Sequence, residues 1–519
     1  MYKTIFKQIA SLQIILGFVI MVPAIAAVIY GEWYAMEGFL ISGGLVSAVG
    51  YIFYKILRNE GEPEYRHSLV IAALGWLMII VLGGLPFYVI AHITPLTEMQ
   101  SFVPEGMDYS SSLLNFKNPL HCIFESTSAY TTTGFTMAYH EPSIGKSLLF
   151  YRSFANWVGG AGFIVMALAI FRHIPGQGTM SLYNSEASGV KLRSNVIHTA
   201  RGIWKAYVIV SILILIYIFV GTLIILPDYP IAENFFDAIN HMMSAIATGG
   251  FSTLDDSIAG YKSYGMDMLM ILPQFLGGLS LPFYYRFFIQ RNFSECWNDI
   301  QTRGFFIATI VGCIILPMLL IRSEQVLDPF REGIFQFVSA ISTTGWQTSN
   351  IGAWDDLSIL FIVAGAMIVG GCAGGTVGGI KVIRALLLQK GLRWHISKIF
   401  LSKNTIKNVK FNNSILLPDQ MNAELARAGI FVLIYLLMVF VSTCFTVYYM
   451  GDNYSLADAI FEAASAQATV GLSTGITDPS MSPVLETVYI FQMWTGRIEI
   501  LPVLILLRVM IYGTAPRII

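Results

Sequence analysis

The sequence contains little charge and few cysteines. Of its 519 residues only 12% are charged, whereas 55% are hydrophobic and the mean hydropathy is +0.65. This composition excludes an ordinary soluble domain and predicts a protein that needs a lipid bilayer as its solvent. The five cysteines lack CxxC spacing, and the eight histidines show no HExxH or clustered pattern. These absences argue against a disulfide framework, a metal site and a metal-dependent enzyme.

Long apolar runs predict an all-α polytopic membrane protein. A helix needs roughly 20 apolar residues to cross about 30 Å of hydrocarbon. The predicted spans are residues 9–30, 36–57, 69–92, 147–171, 203–226, 266–290, 304–321, 356–388, 425–450 and 485–512. A cleaved signal peptide is an alternative for the first run, although that run is longer than the apolar part of such signals.

Basic and acidic residues segregate between the predicted loops. If both termini lie in the cytoplasm, most of the 31 Lys and Arg residues fall on the cytoplasmic side, above all in loops 172–205 and 381–427. This distribution follows the positive-inside rule. The outward segments carry acidic residues, so the net charge of −1 conceals an outer face that would concentrate cations. No nucleic-acid partner is implied.

One short pattern, Ser-Ala-x-x-Thr-x-Gly followed by Phe, Trp or Leu, occurs four times. The copies are SAYTTTGF at 128–135, SAIATGGF at 244–251, SAISTTGW at 339–346 and SAQATVGL at 465–472. Each follows a segment too short to cross a membrane: Pro119 to Tyr130, Ala232 to Ile246, Pro329 to Ser342 and Ser455 to Ala468. Helix-starting residues open three of these segments. Each segment is predicted to be a re-entrant half-helix that ends at a threonine-glycine turn.

The predicted architecture is four pseudo-symmetric units of span, half-helix, turn and span around one central pore, after two extra N-terminal spans. The predicted units are 1–66 (two spans), 67–198 (turn 131–135), 199–300 (turn 247–251), 301–410 (turn 342–346) and 411–519 (turn 468–472). Small-residue helix packing is the alternative explanation of the pattern. Four copies in the same place relative to their flanking spans favour the repeat.

Irregular backbone at membrane depth must be satisfied by protein, water or ions. Four turns around one axis would solve this together, because their carbonyl oxygens can replace the hydration shell of a cation while glycine permits close approach. The predicted cation-binding filter residues are Thr132, Thr133, Gly134, Thr248, Gly249, Gly250, Thr343, Thr344, Gly345, Thr469, Val470 and Gly471. The cation in this filter is the only metal ion predicted, and no catalytic residue is predicted.

A glycine-rich stretch at 370–379 interrupts the eighth predicted span. Its six glycines are Gly370, Gly371, Gly374, Gly375, Gly378 and Gly379. At about 1 kcal/mol of lost helix propensity each, they predict an unwound segment that is buried or lines a pore, beneath the filter. Tight helix packing is one alternative. A nucleotide-binding loop is another, but no strand precedes the stretch and a GK(S/T) ending is absent.

Arg497 lies in the last predicted span. A charge near mid-span costs at least about 2.5 kcal/mol, so we expect it to face the pore or a carboxylate. Glu499 lies about 200° further round the helix and is poorly placed to pair with it. Arg497 is therefore predicted to be a fixed positive charge that gates cation passage with the glycine stretch. A structural ion pair between repeats is the alternative.

Two further patterns allow weaker interpretations. The half-helix acids Glu125, Asp237, Glu332 and Glu462 could form a ring that attracts cations, or could be solvated charges of a vestibule. The pairs Gly83-Gly84, Gly159-Gly160 and Gly277-Gly278 are interpreted as packing or kink sites. No function is assigned to these pairs.

With these motifs the chain resembles the Trk/Ktr/HKT superfamily of potassium transporters. Because two extra spans precede the repeats, it looks most like the TrkH-type membrane subunit of bacterial Trk uptake systems. The resemblance covers essentially the whole chain. It implies that the four aligned glycines confer potassium selectivity, that 370–379 is an intramembrane gating loop, and that Arg497 matches an arginine of the family. The turns lack the Tyr-Gly ending of potassium channels.

The resemblance also implies a setting for the protein. It implies potassium uptake, channel-like or by symport, across the bacterial inner membrane by a homodimer with one pore per protomer. The implied cytoplasmic partner is a TrkA-type ring of regulatory domains that would carry the nucleotide, NAD(H) or ATP/ADP. No cofactor is expected in this chain itself. The basic loops 172–205 and 381–427 are the expected docking surfaces.

Two other functional classes were weighed against this interpretation. A secondary transporter of another small solute would use broken helices and inverted repeats. However, the two-span interval between successive turns returns every copy to the same face of the membrane. A polytopic membrane enzyme would need an intramembrane His, Asp or Glu constellation, and the sequence shows none.

Overall fold

The computed structural model describes residues 2–60, 65–162, 196–323, 326, 328–354, 356–400, 408–412 and 414–513. Nearly all of the regular structure in these residues is helical, as predicted. The exception is an antiparallel hairpin of Val409–Phe411 and Ser414–Leu416, which pairs Lys410 with Ile415. The hairpin lies within the basic segment that follows the third repeat.

Six helical stretches in the described residues are long and apolar enough to cross a bilayer. They are Tyr2–Tyr30, Trp33–Ile56, His67–Ile93, Arg201–Ile225, Ile300–Leu320 and Pro418–Tyr449. The first two are the N-terminal spans, and the other four are the first spans of the four repeats. Two stretches are interrupted: Tyr2–Met21 is followed by Ala24–Tyr30, and Tyr65–Leu82 by Leu85–Ile93.

Each repeat then contains the predicted half-helix. Half-helices 1 to 4 are Pro119–Thr131, Ile231–Ala247, Pro329–Ser342 and Leu456–Gln467. The half-helices start within one residue of the predicted positions. The reason is that the residues that cap a helix start lie next to it in the sequence. The Ser455 hydroxyl accepts a bond from the Asp458 amide, and the Asp458 carboxylate accepts one from the Ser455 amide at 2.8 Å.

The second helix of each repeat ends at or near a glycine, and in repeats 2 and 4 it is therefore shorter than the sequence predicts. The second helices are Lys146–Gly160; Tyr264–Gly277, then Leu281–Tyr284; Leu357–Val369, then Val382–Ile399; and Pro483–Arg497, then Leu501–Tyr512. In repeat 2 the two parts meet at 92°. Continuous spans at 266–290 and 485–512 were therefore wrong, whereas the break expected in 356–388 is present. The rest of span 147–171, beyond residue 162, lies outside the described residues.

Close packing on the half-helices explains these breaks. A Cβ added to Gly159, Gly277 or Gly496 would lie closer than 3.0 Å to a backbone carbonyl of the preceding half-helix. Only glycine lets the second helix approach so closely. The interpretation of Gly159-Gly160 and Gly277-Gly278 as packing and kink sites is thereby confirmed.

Shorter elements connect the helices: Leu96–Ser101, Phe293–Asn298, the 3₁₀ turns Ser112–Lys117, Glu141–Ile144, Ser257–Tyr261 and Ile351–Ala353, and the π turn Tyr285–Gln290. Most of the basic loop 172–205 lies outside the described residues. The described part of loop 381–427 forms the helix Val382–Ile399, the hairpin and the start of Pro418–Tyr449. The residue limits of the repeats stay predictions.

The N-terminal helices pack through small residues, and this contact yields a stability prediction. A Cβ on Gly43 would lie 2.6 Å from the Gly17 carbonyl oxygen, whereas one on Gly44 would find only the Met21 methyl at 3.9 Å. We expect Gly43→Ala to destabilise the fold by about 1–3 kcal/mol through overpacking. Gly44→Ala, the matched control, should be neutral or slightly stabilising because alanine favours the helix. Thermal unfolding of both purified proteins in detergent tests this, and equal melting temperatures would contradict the packing described.

Candidate functional site

The four half-helices end in the same way. A threonine in the left-handed conformation follows each of them: Thr132, Thr248, Thr343 and Thr469, with φ of 60°, 53°, 57° and 50°. The amide after each threonine donates to the carbonyl of the motif serine five residues earlier, at 2.8 to 3.0 Å. Left-handed threonine is costly because its side chain is β-branched, so the repeated geometry indicates a constrained site. We call the segments 131–135, 247–251, 342–346 and 468–472 repeat turns 1 to 4.

The four aligned glycines lie next to one another in the fold. Each has a positive φ: 97° at Gly134, 74° at Gly250, 87° at Gly345 and 89° at Gly471. A Cβ on each glycine would lie closer than 3.0 Å to the carbonyl oxygen preceding the glycine of a neighbouring turn. The order is turn 1 against 2, 2 against 3, 3 against 4, and 4 against 1. The turns therefore close a ring in sequence order, in which a backbone carbonyl of each turn lies against the glycine of its neighbour.

The motif serine has a structural role beside this ring. The Ser128 hydroxyl accepts a bond from the Gly134 amide at 2.9 Å, and Ser465 accepts one from Gly471 at 3.0 Å. In repeat 3 the Ser339 hydroxyl donates to the Trp346 carbonyl at 2.8 Å. Ser244 has no hydrogen-bond partner for its hydroxyl in the part of the chain that the structure describes. In three of the four repeats, therefore, this serine fixes the backbone that leaves the turn.

The half-helix acids lie behind the turns rather than in a solvated vestibule. Glu125 and Glu462 are 0% exposed, and Asp237 and Glu332 are 4% and 8% exposed. Glu462 accepts bonds from the Thr474 amide at 3.1 Å and from the Thr477 amide at 3.0 Å. The interpretation of these residues as solvated vestibule charges is therefore wrong, whereas a cation-attracting ring stays a prediction. Their carboxylates instead bind the chain segments that follow the turns.

The glycine-rich stretch is non-helical, as predicted, and it packs against three of the turns. Its backbone bonds to the break in repeat 2: the Cys372 amide donates to the Gly278 carbonyl, and the Leu281 amide to the Gly374 carbonyl, each at 3.0 Å. A Cβ on Gly378 would come closer than 3.0 Å to the Ala468 carbonyl oxygen in turn 4. The glycines thus allow close contact with neighbouring backbone as well as the non-helical path of the chain.

Thr376 is a site residue that the sequence reasoning missed. It is 1% exposed, and its hydroxyl oxygen lies 3.0 Å from that of Thr248 in turn 2. The Thr132 hydroxyl in turn 1 donates to the Thr376 carbonyl at 3.4 Å. The tip of the stretch therefore lies directly against two of the four threonines. It lies between Gly375 and Val377 in a stretch dominated by glycine, so no local pattern marks it as a site residue.

Arg497 joins the stretch to two other repeats. Its guanidinium donates to the Thr376 carbonyl, to the Gly159 carbonyl at 2.6 Å and to the Gly160 carbonyl at 2.8 Å. Its central carbon lies 5.6 Å from the centre of the buried Trp76 ring. The arginine is therefore turned into the protein, as expected for a charge in a membrane span, and it stabilises unpaired carbonyls at two helix breaks.

A charged cluster follows on the same side of the ring. Glu499 binds Lys381 at 2.5 Å and also pairs with Arg384, so it links the break in repeat 4 to the end of the glycine stretch. Glu499 and Ile500 are both left-handed, with φ of 62° and 61°. A polar cavity of ≈ 30 Å³ lies between Trp76, Lys381, Arg497 and Glu499. Such a volume is sufficient for a water molecule.

Two acidic side chains in the loops beyond the turns have raised pKa values. Burial raises the pKa of the Glu141 carboxyl to about 8, although the Arg152 guanidinium acts in the opposite direction. Burial also raises the pKa of Asp255, whose carboxylate lies 3.3 Å from the Nδ1 atom of His140. Since charging Glu141 is disfavoured in the folded protein, its contribution to stability falls as the pH rises towards 8. Glu141 and Asp255 are thus partly buried rather than fully exposed to solvent.

The predicted site residues fall into two neighbouring groups. The twelve turn residues form the ring, and the glycine stretch with Arg497 lies against one side of it. Among the described residues no group of three or more His, Cys, Asp or Glu side chains could hold a metal ion. Thr376, Trp76 and Arg152 belong to the same region but carry no local sequence signal, because their partners are distant in the chain.

Comparisons with known proteins identify the family of this chain. The TrkH family model, described as a cation transport protein, matches residues 67–513. An uncharacterised cation transporter of Methanocaldococcus jannaschii is 29% identical and covers 96% of this chain and 94% of its own length. The Trk system potassium uptake protein TrkH of Salmonella typhimurium is 28% identical, with 97% and 98% covered.

The fold has a solved counterpart. The crystal structure of the potassium transporter TrkH from Vibrio parahaemolyticus is similar with a TM-score of 0.77 and 24% identity, over 99% of this chain and 100% of that one. That likeness concerns the fold. The family match covers all four repeat turns, the glycine stretch and Arg497. The chain therefore belongs to the TrkH family of cation transport proteins, and it is a multi-pass membrane protein and not an enzyme.

Proposed function

We propose that this protein takes up potassium ions through a gated pore whose selectivity filter is the ring of repeat turns. The observation that carries the proposal is the closed order of the four glycines, each packed against a carbonyl of its neighbour. Relatives whose names describe potassium uptake support the choice of ion.

The ring is suited to a cation that loses its hydration shell on binding. Backbone carbonyls at its centre are dipoles without helical partners, and a monovalent cation can satisfy several of them at once. The threonine side chains of the turns are fully buried, so the surrounding wall is rigid and closely packed. Glycine at all four aligned positions keeps side chains out of the ring. We therefore assign the filter to Thr132 to Gly134 and the equivalent three residues of each other turn.

The glycine stretch is proposed to be the gate. Thr376 contacts turns 1 and 2 and Gly378 packs on turn 4, so the stretch lies directly against three of the four turns. Arg497 holds the Thr376 carbonyl and places a fixed positive charge beside the path. Opening would require this contact to break and the stretch to withdraw. The structure thus corresponds to a closed state in this proposal.

The proposed setting is the bacterial inner membrane, with both termini in the cytoplasm. The helix Val382–Ile399 leads directly out of the gate and carries the basic residues Arg384, Lys390, Arg393 and Lys398. A TrkA-type regulatory ring that binds NAD(H) or ATP/ADP could act on the gate through this helix. Assembly as a homodimer and symport with another cation are further parts of the proposal that follow from the family resemblance.

Selectivity is tested by Gly134→Ser. A serine at this position must adopt a φ of 97°, and its Cβ atom would lie 2.7 Å from the Gly249 carbonyl oxygen. The ring should therefore widen or distort. In cells lacking other potassium uptake, with a TrkA-type subunit supplied, wild type should restore rubidium uptake. The variant should lower the ratio of rubidium to sodium uptake about tenfold, a change of roughly 1.4 kcal/mol.

The control is Gly106→Ser, which has a similar φ of 86° but no atom near the added Cβ. It should keep the wild-type ratio. If wild type moves no rubidium under any condition, the potassium pore is excluded. A secondary transporter of another solute, working through the broken second helices, then becomes the hypothesis to pursue.

The gate is tested by Arg497→Ala and by Thr376→Val, which removes only a hydroxyl. Hydrogen bonds to charged groups are worth about 1.5–3 kcal/mol, so loss of the arginine should raise basal rubidium uptake about tenfold without the regulatory subunit. Thr376→Val should raise it less. Arg427→Ala is the control, because that arginine is exposed and pairs with Glu424 one turn away. Unchanged or lower uptake by both variants at normal membrane levels would contradict a closing role.

A further inference from the structure

A fully buried ion pair lies behind repeat turn 1. The Arg152 Nε atom on the second helix of repeat 1 is 2.8 Å from Glu125 Oε1 on half-helix 1, and the side chains are 1% and 0% exposed. A buried pair adds little net stability compared with apolar packing, because both charges lose their hydration. Its presence beside the ring therefore points to a positioning role.

Glu125 fixes the chain that leaves turn 1. Its Oε2 atom accepts a bond from the Met137 amide at 2.7 Å, and its carboxylate accepts one from the Thr136 hydroxyl at 3.1 Å. Residues 136 and 137 come directly after Phe135, the aromatic residue that ends the repeated pattern. The carboxylate therefore ties the half-helix before Gly134 to the segment after it.

Arg152 extends this connection to the other turns. Its guanidinium carbon lies 4.1 Å from the ring centre of Phe251, which follows Gly250 in turn 2. The Phe251 carbonyl in turn accepts a bond at 3.1 Å from the indole of Trp346, which follows Gly345 in turn 3. One arginine thus connects the segments that follow three of the four filter glycines.

Repeat 4 shows that the acid alone does not require an arginine. Glu462 occupies the same place in half-helix 4, and hydroxyl and amide donors satisfy it, among them the Ser473 hydroxyl at 2.8 Å. The residue matching Arg152, seven before the packing glycine Gly496, is Tyr489, whose ring stacks on Phe135 at 6.2 Å. In both repeats the second helix holds the aromatic residue of the next turn. We therefore infer that the role of an arginine at position 152 is the contact of its guanidinium with Phe251.

We propose that Arg152 is a positioning residue that sets ion specificity, because its pairing with Glu125 places the guanidinium that holds Phe251 and, through it, the carbonyls of turn 2. The proposal rests on the filter assigned above. Arg152 touches no ion in this account and acts through the placement of Phe251. A change at Arg152 should therefore alter discrimination between ions rather than only the amount of folded protein.

The test uses Arg152→Lys, Phe251→Leu and the double variant Glu125→Gln with Arg152→Gln. Lysine keeps the charge opposite Glu125 but lacks the planar group that stacks on a ring. The double variant leaves no unpaired buried charge, so it should fold even if Arg152→Gln alone does not. All three should lower the ratio of rubidium to sodium uptake about fivefold per molecule in the membrane, as expected for loss of a buried cation–π contact.

The matched control is Arg331→Gln, which breaks the 2.8 Å ion pair with the buried Asp267 at the outer end of half-helix 3. It should change the amount of protein but not the ratio. If Gly134→Ser shifts the ratio while Arg152→Lys and the double variant keep it, the Arg152 proposal is overturned and the filter stands. If no Arg152 variant reaches the membrane folded, the residue serves folding, and the proposal is likewise overturned. If the wild-type protein itself does not discriminate between rubidium and sodium, the filter assignment is rejected instead.

Discussion

Irregular backbone at the centre of the helix bundle is the constraint on which the rest of this structure depends. Four half-helices end there in left-handed threonines, and the peptide groups beyond them have no helical partners. In a membrane interior such groups must bind protein, water or ions. The protein meets this demand by closing the four turns on one another, so that glycine of one turn packs against a carbonyl of the next. Removal of any one turn would leave its neighbours unsupported.

The surrounding polar residues hold that ring from behind. The motif serines bind the glycine amides in repeats 1 and 4, and Glu125 and Glu462 bind the segments beyond the turns. Contacts between repeats complete the enclosure, including His121 with Glu486 at 3.0 Å and the Gln347 side-chain amide, which donates to the Ser473 carbonyl at 2.9 Å. Because every buried polar group left unpaired is costly, such a shell favours one geometry of the turns over others.

The sequence predicted what is encoded locally. The half-helices start at Pro119, Pro329 and next to Ser455 because proline and serine fix a helix start by themselves. The six long apolar spans follow from hydropathy alone. The breaks in the second helices were missed in repeats 2 and 4, since a hydropathy window averages over a glycine. Whether a glycine breaks a helix depends on what packs against it, here the carbonyls of the half-helices.

Contacts between distant residues explain the other omissions. Arg497 could be recognised from the energetic cost of its charge, but its partner Thr376 lies 121 residues away and is an ordinary residue in a glycine stretch. The acids of the half-helices looked like vestibule charges because their spacing says nothing about the direction they face. In repeat 1 that direction follows from the second helix, which brings Arg152 to Glu125, and in repeat 4 from the segment after the turn, whose hydroxyls and amides bind Glu462. The four repeats thus share one backbone ring but use different side chains to hold it, and this difference gives each turn its own tolerance to substitution.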